Sequence, residues 1–292
     1  MNLWHQIEQE LTALQGHQFK ITEKRSIGGG SINHAYRISN GSQDFFLKTN
    51  SSDLYFMFAA EARALQVLSE SQTITVPEPV AHGIEGNESF FVMTWVDMSG
   101  RPDSRLFARQ LAALHSVTSD RFGFFIDNSI GSTLQPNGWM TDWVEFWQNQ
   151  RIGHQLELAK RNGFGHRLYD RGIRLNERAD ELLGVHCPTP SLLHGDLWSG
   201  NWAGDSEGRP VIFDPASYYG DSEADLAMME LFGGPGREFF SVYNSVRPIE
   251  PGYDVRKTLY NLYHILNHAN LFGSSYAMQA ERMIDSLLAE LG

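Results

Sequence analysis

Three polar groups in this chain have the types and spacing to do chemistry. The run Leu192-Leu193-His194-Gly195-Asp196-Leu197-Trp198-Ser199-Gly200-Asn201 is followed by Val211-Ile212-Phe213-Asp214. Asp196 and Asn201 stand five apart, and Asp214 follows thirteen residues later. Transfer of a phosphoryl group to a hydroxyl needs a carboxylate that accepts the hydroxyl proton and oxygen ligands for the Mg²⁺ ions that bridge the nucleotide phosphates. Asp196 is the candidate base, and Asn201 and Asp214 are the candidate metal ligands. Asp and Asn are ordinary turn residues, so D-x-x-x-x-N alone says little. The pattern gains weight because one apolar run leads into the polar turn and a second ends in a carboxylate.

Such chemistry needs a phosphate site upstream. Gly28-Gly29-Gly30-Ser31 is a glycine turn whose backbone N–H groups could approach phosphate oxygens with no Cβ in the way. It is neither a G-x-x-x-x-G-K-[ST] loop nor G-x-G-x-x-G, and by itself it reads as a hairpin turn. Its place ahead of a lysine-bearing strand and a glutamate-bearing helix makes it a phosphate cover. Lys48 follows Phe45-Phe46-Leu47, so its stem runs through apolar surroundings and its ammonium needs a partner. Glu61 is that partner, and Lys48 would reach the α- and β-phosphates. Met93 and Trp95 are counted with the nucleotide-binding residues.

The elements that must position these groups follow from periodicity. Trp4, Ile7, Leu11 and Leu14 predict an amphipathic helix over 3–15, ended by Gly16. A strand is expected over 19–27, a second over 35–38, a hairpin at Asn40-Gly41 and a third strand over 44–49. A helix containing Ala59, Ala62, Leu65 and Leu68 carries Glu61. Strands over 80–84 and 90–96 complete the first part, and 97–100 is a plausible hinge. Helices are then expected over 106–114, 139–160, 166–183, 224–232, 255–272 and 277–291. The division expected is 1–96 and 97–292.

Composition sets further bounds. The 292 residues are 41% hydrophobic, with 23 Lys and Arg against 35 Asp and Glu, a net charge of −12. That balance argues against a nucleic-acid surface. The single cysteine, Cys187, cannot form an intrachain disulfide, is expected to be inert, and fits a reducing compartment. No apolar run reaches the ~18 residues of a membrane span, and residues 1–6 do not look like a signal peptide. The expectation is a cytoplasmic monomer or weak dimer with no membrane or nucleic-acid partner.

Read together, these residues give the chain a resemblance to the fructosamine-3-kinase (ketosamine-3-kinase) family, within the protein-kinase-like superfamily. The stretches that carry it are Gly28-Gly29-Gly30-Ser31-Ile32-Asn33, Phe45-Phe46-Leu47-Lys48, Phe58-Ala59-Ala60-Glu61-Ala62, Phe122-Gly123-Phe124, Asp127-Asn128-Ser129-Ile130-Gly131, Gln135-Pro136-Asn137, the 194–201 loop, and Phe213-Asp214-Pro215-Ala216-Ser217-Tyr218-Tyr219-Gly220-Asp221 with Glu223-Ala224-Asp225-Leu226-Ala227. The resemblance implies an α+β, protein-kinase-like two-lobe fold: a small antiparallel-sheet N-lobe with one helix and a mostly helical C-lobe. It implies ATP and Mg²⁺ as cofactors. The activity implied is phosphorylation of the sugar 3-hydroxyl of ribulosamine, erythrulosamine or fructosamine adducts, small or protein-bound, in deglycation. It also implies that Asp225 hydrogen-bonds the backbone of the catalytic loop. Some members carry a cysteine in the glycine turn; Ser31 stands there in this chain.

Two departures from the protein-kinase pattern point to a small acceptor. Gly195 stands where H-R-D has arginine, and only ten residues separate Asp214 from Asp225, too few for an activation segment. Asp221 or Ser222 is the expected N-cap of the helix that follows. Trp198, Tyr219 and His264 are the candidate substrate contacts; Tyr218 shares the aromatic character of Tyr219. His264 and His268 lie one helical turn apart with no third metal ligand evident. The same site would serve a kinase for another small alcohol, of aminoglycoside, choline or methylthioribose type. A non-catalytic nucleotide-binding pseudokinase is disfavoured, because Lys48, Glu61, Asp196, Asn201 and Asp214 are all present.

Overall fold

The computed structural model describes residues 2–28, 32–184 and 186–292. They form two compact units, Met1–Pro102 with Ala203–Asp214, and Asp103–Trp202 with Pro215–Gly292. The first contains α1 (Leu3–Gln15), β1 (Glu23–Ile27), β2 (His34–Ser39), β3 (Asp44–Ser51), α2 (Tyr55–Glu70), β4 (Pro79–Glu85) and β5 (Glu88–Thr94). The strands form one antiparallel sheet in the order β1-β2-β3-β5-β4. Asn2 caps α1 by accepting the Trp4 N–H at 3.1 Å, and Gly16 ends it with φ 71°. Leu3, Ile7 and Leu11 pack with Phe19, Ile38, Phe45, Leu47, Phe90 and Val92 into a core.

Side chains alternate across a strand, and this alternation places Lys48. Leu47 pairs with Val92 on the α1 face, so Lys48, paired with Phe91, points to the opposite face. There Phe91 packs on Phe58 of α2. The first strand starts at Glu23 rather than at Phe19. The N–H groups of Phe19 and Ile21 are taken by Thr12 Oγ1 at 2.9 Å and Glu8 Oε1 at 2.8 Å, both on α1, which leaves this stretch outside the ladder.

The second unit is mostly helical. It runs through α3 (Ser104–Leu114), the hairpin β6 (Asn128–Ile130) and β7 (Thr133–Gln135), α4 (Trp143–Trp147), α5 (Gly153–Arg161), α6 (His166–Glu177), α7 (Ala179–Leu183) and β8 (Ser191–Leu193). The hairpin β9 (Trp202–Gly204) and β10 (Pro210–Ile212) follows, and residues 203–214 belong to the first unit. The chain then continues through β11 (Tyr218–Gly220), α8 (Glu223–Leu231), α9 (Arg237–Val246), α10 (Tyr253–Phe272) and α11 (Ser274–Glu290). Residues 259–267 of α10 are all buried, as in a helix packed on every side. No helix among the described residues is long and apolar enough to cross a membrane.

Further features differ from the periodicity reading, among them a break at Arg178 in the helix expected over 166–183. The helix expected over 139–160 starts at Trp143, behind the Asp142 cap, and contains a π-helical turn over Gln148–Ile152. That turn brings Arg151 fully inside, over the rings of Tyr218 at 4.0 Å and Phe146 at 4.6 Å. Helix α9 is not among the expected helices, although Phe239, Val242, Tyr243 and Val246 fall at helical spacing. The β6–β7 hairpin has three residues per strand, shorter than an alternation pattern can signal.

A polar network ties the segment before β8 to α8 and α10. His186 donates from Nε2 to Asp221 Oδ2 at 2.6 Å and from Nδ1 to Glu250 Oε2 at 2.7 Å. Tyr260 O–H donates to the same Asp221 oxygen at 2.5 Å, and Arg256 grips Glu223 at 2.7 and 2.9 Å. Burial opposes the charge on His186, but Asp221, Glu250 and Glu223 outweigh it and push the imidazole up to about 9. A raised folded-state value stabilises fully below the unfolded value of about 6.5, and the contribution fades as pH rises through about 9. We therefore expect His186→Gln to lower Tm by several degrees at pH 6, with the gap to the native chain closing towards pH 10. Thermal melts across that range check it, and a gap that widens with pH would contradict it.

Candidate active site

In the first unit, Lys48, Glu61 and Asp214 come together. The Lys48 ammonium is 2.7 Å from Glu61 Oε1 and 2.5 Å from Asp214 Oδ1, and the residue is only 5% exposed. Burial opposes its charge, but the two carboxylates raise its proton affinity well above the ordinary lysine range. Burial and then the neighbouring Asp214 push the Glu61 carboxyl up against the pull of Lys48. Two carboxylates around one ammonium leave one negative charge over, and Asp214 is about half exposed.

The route that delivers Asp214 is built from close backbone contacts. Residues 203–214 bridge to Gly100 through Gly204 and to Thr75 through Val211, with Ile212 N–H donating to Thr75 at 3.0 Å. A Cβ on Gly100 would stand 1.9 Å from the Asp205 carbonyl oxygen, so the approach requires glycine. Asp214 itself has φ 57°, a left-handed conformation uncommon for a residue with a Cβ.

Of the other first-unit candidates, Gly28 follows β1 directly. Gly29, Gly30 and Ser31 lie outside the described residues. Just beyond them Asn50 Nδ2 donates to the Ile32 carbonyl at 3.1 Å and to Asn33 Oδ1 at 2.7 Å, pinning the start of β2. Met93 is buried on β5 opposite Phe46, and Trp95 stacks on Phe46 with Arg37 5.0 Å from its ring.

In the second unit the 194–201 loop is held rigidly. Asp225 of α8 accepts the N–H groups of His194 at 2.8 Å and Gly195 at 2.9 Å, as the resemblance implied. Its carboxyl is buried, yet hydrogen bonding from His115 and Gly195 keeps it below the usual range. His115 Nε2 reaches it at 3.2 Å, and His115 Nδ1 lies 2.7 Å from the Tyr243 hydroxyl. Gly195 has φ 85°, and a Cβ there would stand 2.1 Å from the Ala216 carbonyl oxygen. No side chain fits, which is the local reason for glycine between His194 and Asp196. Asn201 Nδ2 donates to the Asp196 carbonyl at 2.9 Å and to Asp196 Oδ2 at 3.2 Å. Base candidate and amide are thus locked as a pair, with the amide Nδ2 rather than Oδ1 engaged.

The three candidate substrate contacts differ in exposure. Trp198 is 38% exposed and edge-on to Phe232 at 6.2 Å. Tyr219 is buried among Phe124, Phe125 and Trp139. His264 is buried, and that burial pulls its imidazole down to about 3, so it is neutral at physiological pH. Ser222 is the N-cap of α8, but the side chain that captures a helix N–H is Asp221, through Glu223 at 3.0 Å.

Sequence reasoning missed the clasp on residues 216–217. Asn128 Nδ2 donates to the Ser217 carbonyl at 2.8 Å, and Gln135 Nε2 to the Ala216 carbonyl at 3.0 Å. Tyr263 O–H and Arg151 complete it, donating to Gln135 Oε1 at 2.6 Å and Asn137 Oδ1 at 2.8 Å. The polar blocks at 127–131 and 135–137 were the available signal. His115 and Tyr243 had none, because each sits on a helix as an ordinary core residue.

Known proteins share the sequence and the fold of this chain. The fructosamine kinase family model matches residues 3–290. A protein assigned as a ketoamine kinase in Synechocystis is 46% identical over 288 residues, covering 98% of this chain and 97% of the relative. A chloroplastic protein-ribulosamine 3-kinase of Arabidopsis thaliana is 42% identical over 281 residues, 95% of this chain and 86% of the relative. A crystal structure assigned as a fructosamine-3-kinase, from Haemophilus somnus, superposes with TM-score 0.90 at 32% identity, over 98% of this chain and 100% of that one. The aminoglycoside phosphotransferase APH(4)-Ia, at 17% identity, TM-score 0.61 and 98% coverage of both chains, shares the protein-kinase-like fold. With a buried lysine held by two carboxylates, a braced Asp196 loop and a family match across almost its whole length, the chain belongs to the fructosamine kinase family of ATP-dependent kinases.

Proposed function

We propose that this kinase transfers the γ-phosphoryl group of ATP to the 3-hydroxyl of ketosamines, the adducts that sugars such as ribose and glucose form with amines. The observation that carries the reading is the Lys48 ammonium buried between Glu61 and Asp214. A lysine so fixed is a positioned phosphate contact. The ketoamine kinase and protein-ribulosamine 3-kinase relatives support the acceptor class.

In this reading Gly28, Gly29, Gly30 and Ser31 cover the phosphates, and Met93 and Trp95 adjoin the nucleotide. Asp214 and Asn201 offer a carboxylate and an amide oxygen, hard donors of the kind Mg²⁺ takes. The surplus negative charge around Lys48 and the exposure of Asp214 fit such a cation. When bound, Mg²⁺ would neutralise charge on the transferring phosphate. Asp196 orients the acceptor hydroxyl and takes its proton as the new O–P bond forms and the bond to ADP breaks. Asn201 keeps the Asp196 carboxylate aimed. Trp198 offers an exposed ring beside the acceptor, and His264 a neutral imidazole. One cysteine and a reaction driven by ATP fit a reducing, ATP-supplied compartment, the cytoplasm.

Acceptor turnover separates this reading from a kinase for another alcohol. Ribulosyl-, erythrulosyl- and fructosyl-lysine are to be compared with simple alcohols and aminoglycosides under saturating Mg-ATP. Preferential use of the ketosamines is expected; turnover of the alcohols alone would overturn the assignment. Asp196→Asn keeps the size and loses the acceptor charge, so kcat should fall about 10²–10⁴-fold with nucleotide affinity retained. A fall of less than about tenfold would remove the base role. Asp214→Ala should abolish Mg²⁺-dependent turnover, and Asn201→Ala should impair it less.

Lys48 carries a separate expectation. Lys48→Met keeps the stem's packing but leaves Glu61 buried without its counter-charge, which costs about 3–5 kcal/mol. Lys48→Met/Glu61→Gln should regain most of that stability and none of the ATP-dependent activity. Recovery of activity in the double variant would show that the lysine acts only as a structural ion pair.

A further inference from the structure

An unbroken line of aromatic rings runs outward from the 194–201 loop. Trp198 meets Phe232 at 6.2 Å, Phe232 meets His268 at 5.4 Å, and His268 meets both Phe272 at 5.7 Å and Tyr276 at 5.0 Å. Ser199 Oγ donates to the Phe232 carbonyl at 3.2 Å, which ties the inner end of the line to the loop that carries Asp196. Trp198 begins the line two residues after Asp196, its N–H donating to the Asp196 carbonyl at 3.1 Å. The outer end lies where α10 meets α11, and Phe272 there is 55% exposed. Trp198, Phe232 and Phe272 are exposed, with His268 and Tyr276 partly buried between and beside them, and rings in such a row form an interaction surface rather than scattered apolar residues.

We infer that this row is the docking surface for the polypeptide that carries a glycated lysine, the inner rings holding the lysine stem and the outer rings the flanking chain. The inference rests on Asp196 and Trp198 marking the acceptor end of the site. Reach decides the occupant. In a ketosamine on lysine, about nine covalent bonds separate the 3-hydroxyl oxygen from the lysine Cα, on the order of 10 Å when extended. The steps from Trp198 to Phe232 and on to His268 cover a similar span. A hydroxyl presented to Asp196 therefore sets four methylenes along Phe232 and brings the carrier backbone over His268, Phe272 and Tyr276. Methylene stems pack well on ring faces, and rigid aromatics give contact area at little entropic cost. The net charge of −12 also draws in lysine-rich carriers, the ones that become glycated. A small ketosamine ends before the outer rings and gains nothing from them.

The test compares two acceptors, Nα-acetyl-ribulosyl-lysine and ribulosyl-lysine at the centre of a nine-residue peptide, in the native chain, Phe272→Ser and Phe272→Ser/Tyr276→Gln. For the peptide we expect a fall in kcat/KM of about tenfold in the double variant, carried by KM, as for the loss of aromatic anchors in an interface. For the small adduct we expect a change under about twofold. Phe272→Trp should keep peptide activity. Phe272→Ser, at an exposed position, supplies the answer if the double variant melts early. Equal losses on both acceptors, or none on either, would overturn the docking surface and leave the ketosamine reading standing. A native chain that phosphorylates neither acceptor would overturn both.

Discussion

An ammonium buried in the first unit sets the terms for the elements around it. Lys48 sits on a central strand, on the face away from the α1 core, and its charge cannot remain there alone. One carboxylate comes from α2 and the other from a segment more than 150 residues further along the chain. Strand alternation, the packing of α2 on Phe91 and the glycine-to-glycine approach at Gly100 and Gly204 are all required to bring those two oxygens to one nitrogen. Asp214 is held at a left-handed φ at the end of that route, so the backbone carries strain where the carboxylate is delivered.

The second unit solves a different problem by similar means. A loop that presents Asp196 must not sag, and its backbone N–H groups need partners away from water. Asp225 supplies two acceptor oxygens from the first turn of α8, and His115 with Tyr243 steadies Asp225 from behind. Asn128 and Gln135 hold the segment leading into β11 through the carbonyls of residues 216 and 217. The close approach of Gly195 to Ala216 leaves no room for the arginine found in H-R-D loops. The same contact suits a kinase whose acceptor is a small hydroxyl rather than a docked activation segment.

Much of this was legible in residue order because the signals were local. A lysine after an apolar strand, with one glutamate at the right remove on the next helix, specifies an ion pair. Asn40-Gly41 marks the hairpin between β2 and β3, and a short gap before Asp225 places it at a helix start. Features set by tertiary packing were not legible. The π turn that buries Arg151 shows no break in periodicity. The extra length expected of β1 failed because Thr12 and Glu8 on α1, side chains that no strand pattern registers, took its N–H groups. Tyr219 looked like a sugar platform from its neighbours in sequence, yet the fold packs it among three other rings.

The proposed function turns on Asp196 acting as the base for one particular hydroxyl of the acceptor. The position of the new phosphate on the sugar tests it most directly. Proton–phosphorus correlation spectra recorded during turnover of ribulosyl-lysine with Mg-ATP would identify the carbon that bears it. The account predicts coupling of phosphorus to the proton on C3 from the first turnovers. Phosphate on another sugar hydroxyl, or spread over several, would contradict a fixed base and a single acceptor geometry.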